Sequence, residues 1–124
     1  MARVIAAPRR IQAHGSPPKM IEQYIGRANT GTAALSIARM LSPPGWSEPG
    51  QTPTFSEYTL VLRGAVVAET RNATHRIEAG QVLIVEPSQW VRYSTPEGAE
   101  YVAVCLPAFS PEAVRRDGEG AAPS

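Results

Sequence analysis

The stretch GWSEPGQTPTFSEYTLVLRG, from Gly45 to Gly64, gathers side chains that reaction chemistry uses: an indole at Trp46, an amide at Gln51 and a carboxylate at Glu57. Strand-like alternation places Glu57, Thr59 and Val61 on one face. A carboxylate that loses water with no metal cation beside it has its pKa raised toward neutrality, which suits general acid or base work. The plainer reading of Glu57 is a carboxylate satisfied by a backbone amide or by an arginine such as Arg92. Downstream, SQWVRYST carries Arg92 and Tyr93 on adjacent strand positions, so one of them faces inward and the other outward. An inward Tyr93 could donate to a carbonyl or oxyanion, and Tyr93 inward is the reading taken. A one-residue slip would instead turn Trp90 and Arg92 inward, as a stacking surface and an anion clamp.

Other candidates carry less. His75, in NATHRIEAG, shares strand parity with Ile77 and could shuttle protons near neutral pH, although a histidine at a hairpin end is more often solvated. His14, in a proline-rich arm, is no candidate ligand. Cys105 alternates with Tyr101 and Ala103 and has no base assigned beside it, so core packing is expected. No pair of cysteines or histidines shows zinc-like spacing, and neither a metal nor another cofactor is expected.

The elements that must position these groups read as strands. Twelve prolines and ten glycines interrupt runs rich in Val, Ile, Leu, Thr and Tyr. That rhythm predicts strands over 20–27, 33–41, 57–63, 65–70, 74–77, 81–85, 90–94 and 101–106. Gly64, Asn72 and Gly80 are placed in three successive hairpin turns. Many short antiparallel strands imply an all-β sandwich or barrel. In a chain of 124 residues one domain is expected: an arm over 1–19, a barrel over 20–110, and a flexible tail over 111–124. The loop PPGWSEPGQTPTF, stiffened by proline, is expected to rim the barrel mouth, with Trp46 as an apolar wall and Gln51 orienting a ligand.

Twelve basic against eleven acidic residues leave a net charge of +1 with no block of like charge, so neither nucleic acid nor membrane is an expected partner. The arm and exposed sheet edges suggest a homodimer. One cysteine, no signal-like N-terminus and no long apolar run suggest a cytoplasmic protein.

The segment from Gly45 to Leu106 resembles a single-domain cupin, a small jelly-roll β-barrel. The family's first motif runs glycine, five residues, His-x-His, a glutamate three or four residues on, then six residues and a glycine. Gly45, Gln51, Pro53, Glu57 and Gly64 stand at those spacings, with both histidines replaced. Of the second motif, the opening glycine survives as Gly80, and Val91 takes the place of the histidine. Cupin metals are held by three histidines and one glutamate. The resemblance therefore implies a retained frame whose ligand positions offer an amide, a proline, a carboxylate and a valine. It also implies that the face of Glu57, Thr59 and Val61 lines the barrel interior. In pattern the chain is most similar to histidine-poor cupins such as those of ethanolamine-utilisation operons.

Together these readings predict a metal-independent cupin acting on a small organic molecule by proton transfer, as an isomerase, cyclase or lyase. Glu57 and Tyr93 are its catalytic pair, and Gln51, Trp46, Thr59, Val61, Val91, Arg92 and His75 its binding residues. Two alternatives stay open: a non-catalytic ligand-binding or accessory cupin, and a metal-dependent oxygenase or isomerase in which Glu57 and Gln51, with or without His75, and water hold the ion.

Overall fold

The computed structural model describes residues 1–118. Nine strands follow in order: β1 (Arg9–Ile11), β2 (Met20–Ile25), β3 (Ser36–Ser42), β4 (Trp46–Ser47), β5 (Ser56–Thr70), β6 (Thr74–Glu78), β7 (Val82–Val85), β8 (Val91–Thr95) and β9 (Ala99–Leu106). A single helical turn, α1 (Pro111–Val114), closes the described chain. All strand pairings are antiparallel, and they form two facing sheets that share β5. In the larger sheet the order runs β1, β2, β3, β9, β5, β7; in the smaller, β4, β8 and β6 gather around the second half of β5. This is the expected all-β jelly roll.

The strand β5 departs from expectation in an instructive way. Gly64 adopts the positive φ foreseen for it, 73°, yet it does not reverse the chain. Instead β5 runs through it without a break, bending from one sheet into the other beside a register shift between Val61 and Arg63. A side chain at this position would press its first carbon to within 2.2 Å of the Gly98 carbonyl oxygen. Gly64→Ala therefore costs about 2 kcal/mol or more, through both the backbone conformation and the clash, and a urea midpoint shows it. Gly80 likewise turns a corner rather than a hairpin: β6 and β7, on either side of it, both pair with β5 and not with each other. The turn around Asn72 does join a hairpin, β5 to β6.

The ends are more structured than composition suggested. Part of the arm pairs at home, with Arg9 opposite Gln23 and Ile11 opposite Ile21, and Ser16 bridges Ser47. Residues 111–118, expected in a flexible tail, fold back against the barrel. Ser110 caps α1 by accepting from the Ala113 amide, Pro111 opens it, and Val114 is buried with Phe55 and Cys105. The rest of that tail, 119–124, lies outside the described residues. Two apolar clusters fill the space between the sheets, a large one around Trp46, Val61, Val66, Val91 and Tyr101, and a small one around Phe55.

Candidate functional site

Between those clusters lies a cavity with about 70 Å³ of room for the centres of water molecules. Its floor is the inner face of the larger sheet, built by period-two alternation in four adjacent strands. Register sets the side chains in transverse rows: Glu57 beside Cys105 and Ser36; Thr59 beside Ala103, Ala38 and Gln23; then Tyr101, Met40 and Ile21. The opposite wall comes from the smaller sheet, with Tyr93 on β8 and Trp46 on β4.

Glu57 and Tyr93 meet across the barrel. The Tyr93 hydroxyl donates to Glu57 Oε1 at 2.7 Å, and the Cys105 thiol lies 3.7 Å from Oε2 as a second donor. Burial pushes the Glu57 carboxyl above its ordinary value, while the Tyr93 hydrogen bond and Lys19 pull it partly back. Burial and the neighbouring carboxylate push Tyr93 and Cys105 well above their own ordinary values, so both remain protonated donors.

Lys19 is, with Arg116, one of two cations that line the cavity. Its ammonium sits 3.9 Å from the Trp46 ring centroid and donates to the Tyr101 hydroxyl at 3.1 Å, which in turn contacts Ser42 Oγ at 2.9 Å. Burial lowers its pKa, and Glu48 and Glu57 partly restore it. Glu48, also on the cavity lining, is pushed up to about 7 by burial, against the pull of Lys19. The site thus combines a carboxyl that titrates near neutrality, a second raised carboxyl, one ammonium, one guanidinium and two phenols. Such a set can take up or release a proton and can bind groups that both donate and accept hydrogen bonds.

The nine residues singled out from sequence divide cleanly. Glu57, Tyr93, Gln51, Trp46 and Thr59 all line the cavity. Tyr93 faces inward and Arg92 outward, where Arg92 pairs with Glu69 at 2.7 Å; Trp90 bonds Asp117 at the surface, so the strand has not slipped. Val61 and Val91 pack in the core without lining the cavity. His75 is exposed on β6, because that strand has only its Ile77 side buried. Trp46 stands in the cavity lining, and its ring also seats the Lys19 ammonium.

Lys19, Glu48, Tyr101 and Arg116 were missed as cavity residues. For Lys19 a signal existed: it shares parity with Ile21 and Gln23, which continue the same inward face. Tyr101 was placed on one face with Ala103 and Cys105, but as core alone. Glu48 in a proline-flanked loop and Arg116 after a one-turn helix leave no periodic trace. Arg116 reaches the cavity because its backbone bridges Gln51, which also bridges Val91.

Solved structures share this fold. Ethanolamine utilization protein Q of Salmonella typhimurium matches with a TM-score of 0.66 at 15% identity, over 82% of this chain and 97% of that one. Streptomyces PAC13, in a structure with uridine, matches with a TM-score of 0.71 at 19% identity, over 91% and 87%. Oxalate decarboxylase of Bacillus subtilis gives 0.74 at 12% identity, over 90% of this chain and 30% of that one. The chain has a cupin fold. At such identities the likeness carries the fold alone. No family model matches the chain.

The positions where cupins place their metal ligands are held here by Gln51, Pro53, Glu57 and Val91, and they do not fit that metal. Pro53 and Val91 offer no donor atom, and both Glu57 oxygens already accept from protein groups. Among the described residues no three of His, Cys, Asp and Glu come together as a metal-binding group. Among them, too, no helix is long and apolar enough to cross a membrane.

A curated relative corrects the functional reading. Endoribonuclease YbeY of Myxococcus xanthus (strain DK1622) is 46% identical over 96 residues, 76% of this chain. The chain spans 33% of that relative's length. This overturns the expectation of metal-independent chemistry or ligand binding on a small organic molecule, and with it the expectation of no nucleic-acid partner. The error has a physical root. Balanced charge argues against binding dominated by many phosphates, but it does not argue against contact with a single nucleotide.

Proposed function

We propose that this chain serves RNA cleavage as part of an endoribonuclease-type protein, its cupin cavity receiving one nucleotide of the RNA strand. The observation that carries this reading is the 46% identity to Endoribonuclease YbeY. The cavity is compatible with it. PAC13, which shares the fold, has been solved with uridine.

In this reading Gln51 and Thr59 address the base edge, since an amide offers one donor and one acceptor side by side. Glu57 and Tyr93 supply a second donor–acceptor pair, and Phe55, Phe109 and Met40 the apolar surface against which a ring lies. Lys19 and Arg116 place positive charge near the entering sugar-phosphate. We place the protein in the cytoplasm, where RNA and a free buried thiol such as Cys105 are both at home.

Fluorescence anisotropy with a labelled single-stranded RNA tests the reading. Binding is expected with a dissociation constant in the micromolar range and a shallow salt dependence, a log–log slope of about −1 to −2, because few phosphates are engaged. Gln51→Ala and Lys19→Met should each weaken it about fivefold or more, and Arg92→Ala, on the outer face, should leave it unchanged. Absence of binding at about 100 micromolar, or equal affinity in all variants, would sink the proposal.

A further inference from the structure

The ammonium of Lys19 is surrounded by groups that carry no negative charge. It touches the Trp46 ring, the Tyr101 hydroxyl and, at 3.4 Å, the Met40 sulfur. Trp46 and Tyr101 are 1% and 4% exposed, so the charge sits beneath the rim of the cavity and not on it. Among the described residues no carboxylate comes within ion-pairing distance of this ammonium. Glu57, on the same cavity lining, accepts from Tyr93 and Cys105 instead. A desolvated ammonium without a counter-ion is costly, and a ligand that brings an anion offsets that cost. Arg116, on the same lining, adds to the positive potential an anion would meet.

Exposure shows the way in. Of the described residues that line the cavity, Gln12 and His14 are exposed, and the others are buried or half-buried. Both belong to the stretch between β1 and β2, so the cavity opens beside that stretch. A nucleotide within an RNA strand is flanked by chain on both sides. Through such an opening it can insert its base, but its phosphates stay outside, out of reach of a cation beneath the rim. A strand end has no such restriction.

On the reading that this cavity receives RNA, we propose that it takes the terminal nucleotide of a strand, with a terminal phosphate monoester seated against the Lys19 ammonium. A monoester brings between about 1.5 and 2 negative charges and three acceptor oxygens, more than the single charge of a phosphodiester within the strand.

Calorimetric titration with short unlabelled RNAs of one sequence tests this: one with a 5′-phosphate, one with a 3′-phosphate, one with hydroxyls at both ends and one closed into a circle. An end-phosphorylated form is expected to bind about tenfold or more tighter than the hydroxyl-ended and circular forms. Lys19→Met should abolish that preference, and Lys19→Arg, which keeps the charge, should retain part of it. Should Lys19→Met misfold, phosphorus NMR with the native protein still reads the contact: the monoester resonance should shift or broaden on binding while the diester resonances do not. Equal affinity for all four RNAs, or a preference that survives Lys19→Met, overturns this inference and leaves RNA binding in the cavity standing. Lys19-dependent binding of a free nucleoside monophosphate, with no binding of any RNA, supports the phosphate seat and overturns the RNA reading. No binding of either overturns both.

Discussion

Trp46→Ala lowers the free energy of unfolding by about 3–5 kcal/mol, the range for emptying a fully buried aromatic site. Trp46 is 1% exposed and stands in the main apolar cluster, so its loss leaves a void bounded by both sheets. Three further contacts go with it. Its indole N–H donates to the His14 carbonyl at 3.3 Å, its ring carries the Lys19 ammonium, and Gly15 packs so closely that an added carbon would come within 2.7 Å of the indole nitrogen. The variant should therefore loosen residues 14–19 as well as the barrel, leaving Lys19 buried without its aromatic seat. A denaturant titration followed by far-ultraviolet circular dichroism measures the loss, and hydrogen exchange locates it. Trp90→Ala, at the surface, should cost far less, and equal losses for the two would contradict the packing described.

The second large effect is on pH. Glu48, pushed up to about 7, and Glu57, also raised, hold protons in the fold that the unfolded chain has already released. Where the unfolded state binds fewer protons, stability falls as pH rises. The loss begins above the ordinary carboxylate value near 4.5 and, for Glu48, is complete somewhat above pH 7. For Glu48 alone it amounts to about 3 kcal/mol at most, reduced by solvent screening because the residue is only half-buried. Glu97 and Glu100 act in the other direction: arginine partners hold them below their ordinary values, so what they contribute is lost as pH falls below the ordinary carboxylate range. Stability is thus expected to peak near pH 5, and Glu48→Gln should flatten the fall between pH 5 and 7. A protein more stable at pH 7.5 than at pH 5 would contradict this electrostatic picture.

Much of the fold was legible because its signals are local. Alternation in Glu57-Tyr58-Thr59-Leu60-Val61 and in Tyr101-Val102-Ala103-Val104-Cys105 specifies which side chains turn inward, and the sheet register then brings Glu57 beside Cys105. Gly64 announced its backbone conformation but not its consequence. Positive φ serves a turn and a bent continuous strand equally well, and only the close approach of Gly98 separates the two. The pairing of Tyr93 with Glu57 rests on the distance between two sheets, which no local pattern reports. Lys19 was readable by parity from Ile21 and Gln23 but was passed over because it lay in an arm taken to be loose. The substrate class was not legible: residue types at a site define what can be bound or protonated, and the same set serves a free metabolite or a nucleotide in a strand.

The central claim, that the barrel interior meets RNA, is tested most directly by amide chemical shifts of isotopically labelled protein titrated with a short single-stranded RNA. The account expects perturbations concentrated at Gln51, Glu57, Thr59, Tyr93 and Lys19, with little change at Arg92 and His75. Perturbations confined to the outer face around Tyr58 and Ile84, or none at saturating RNA, would contradict it.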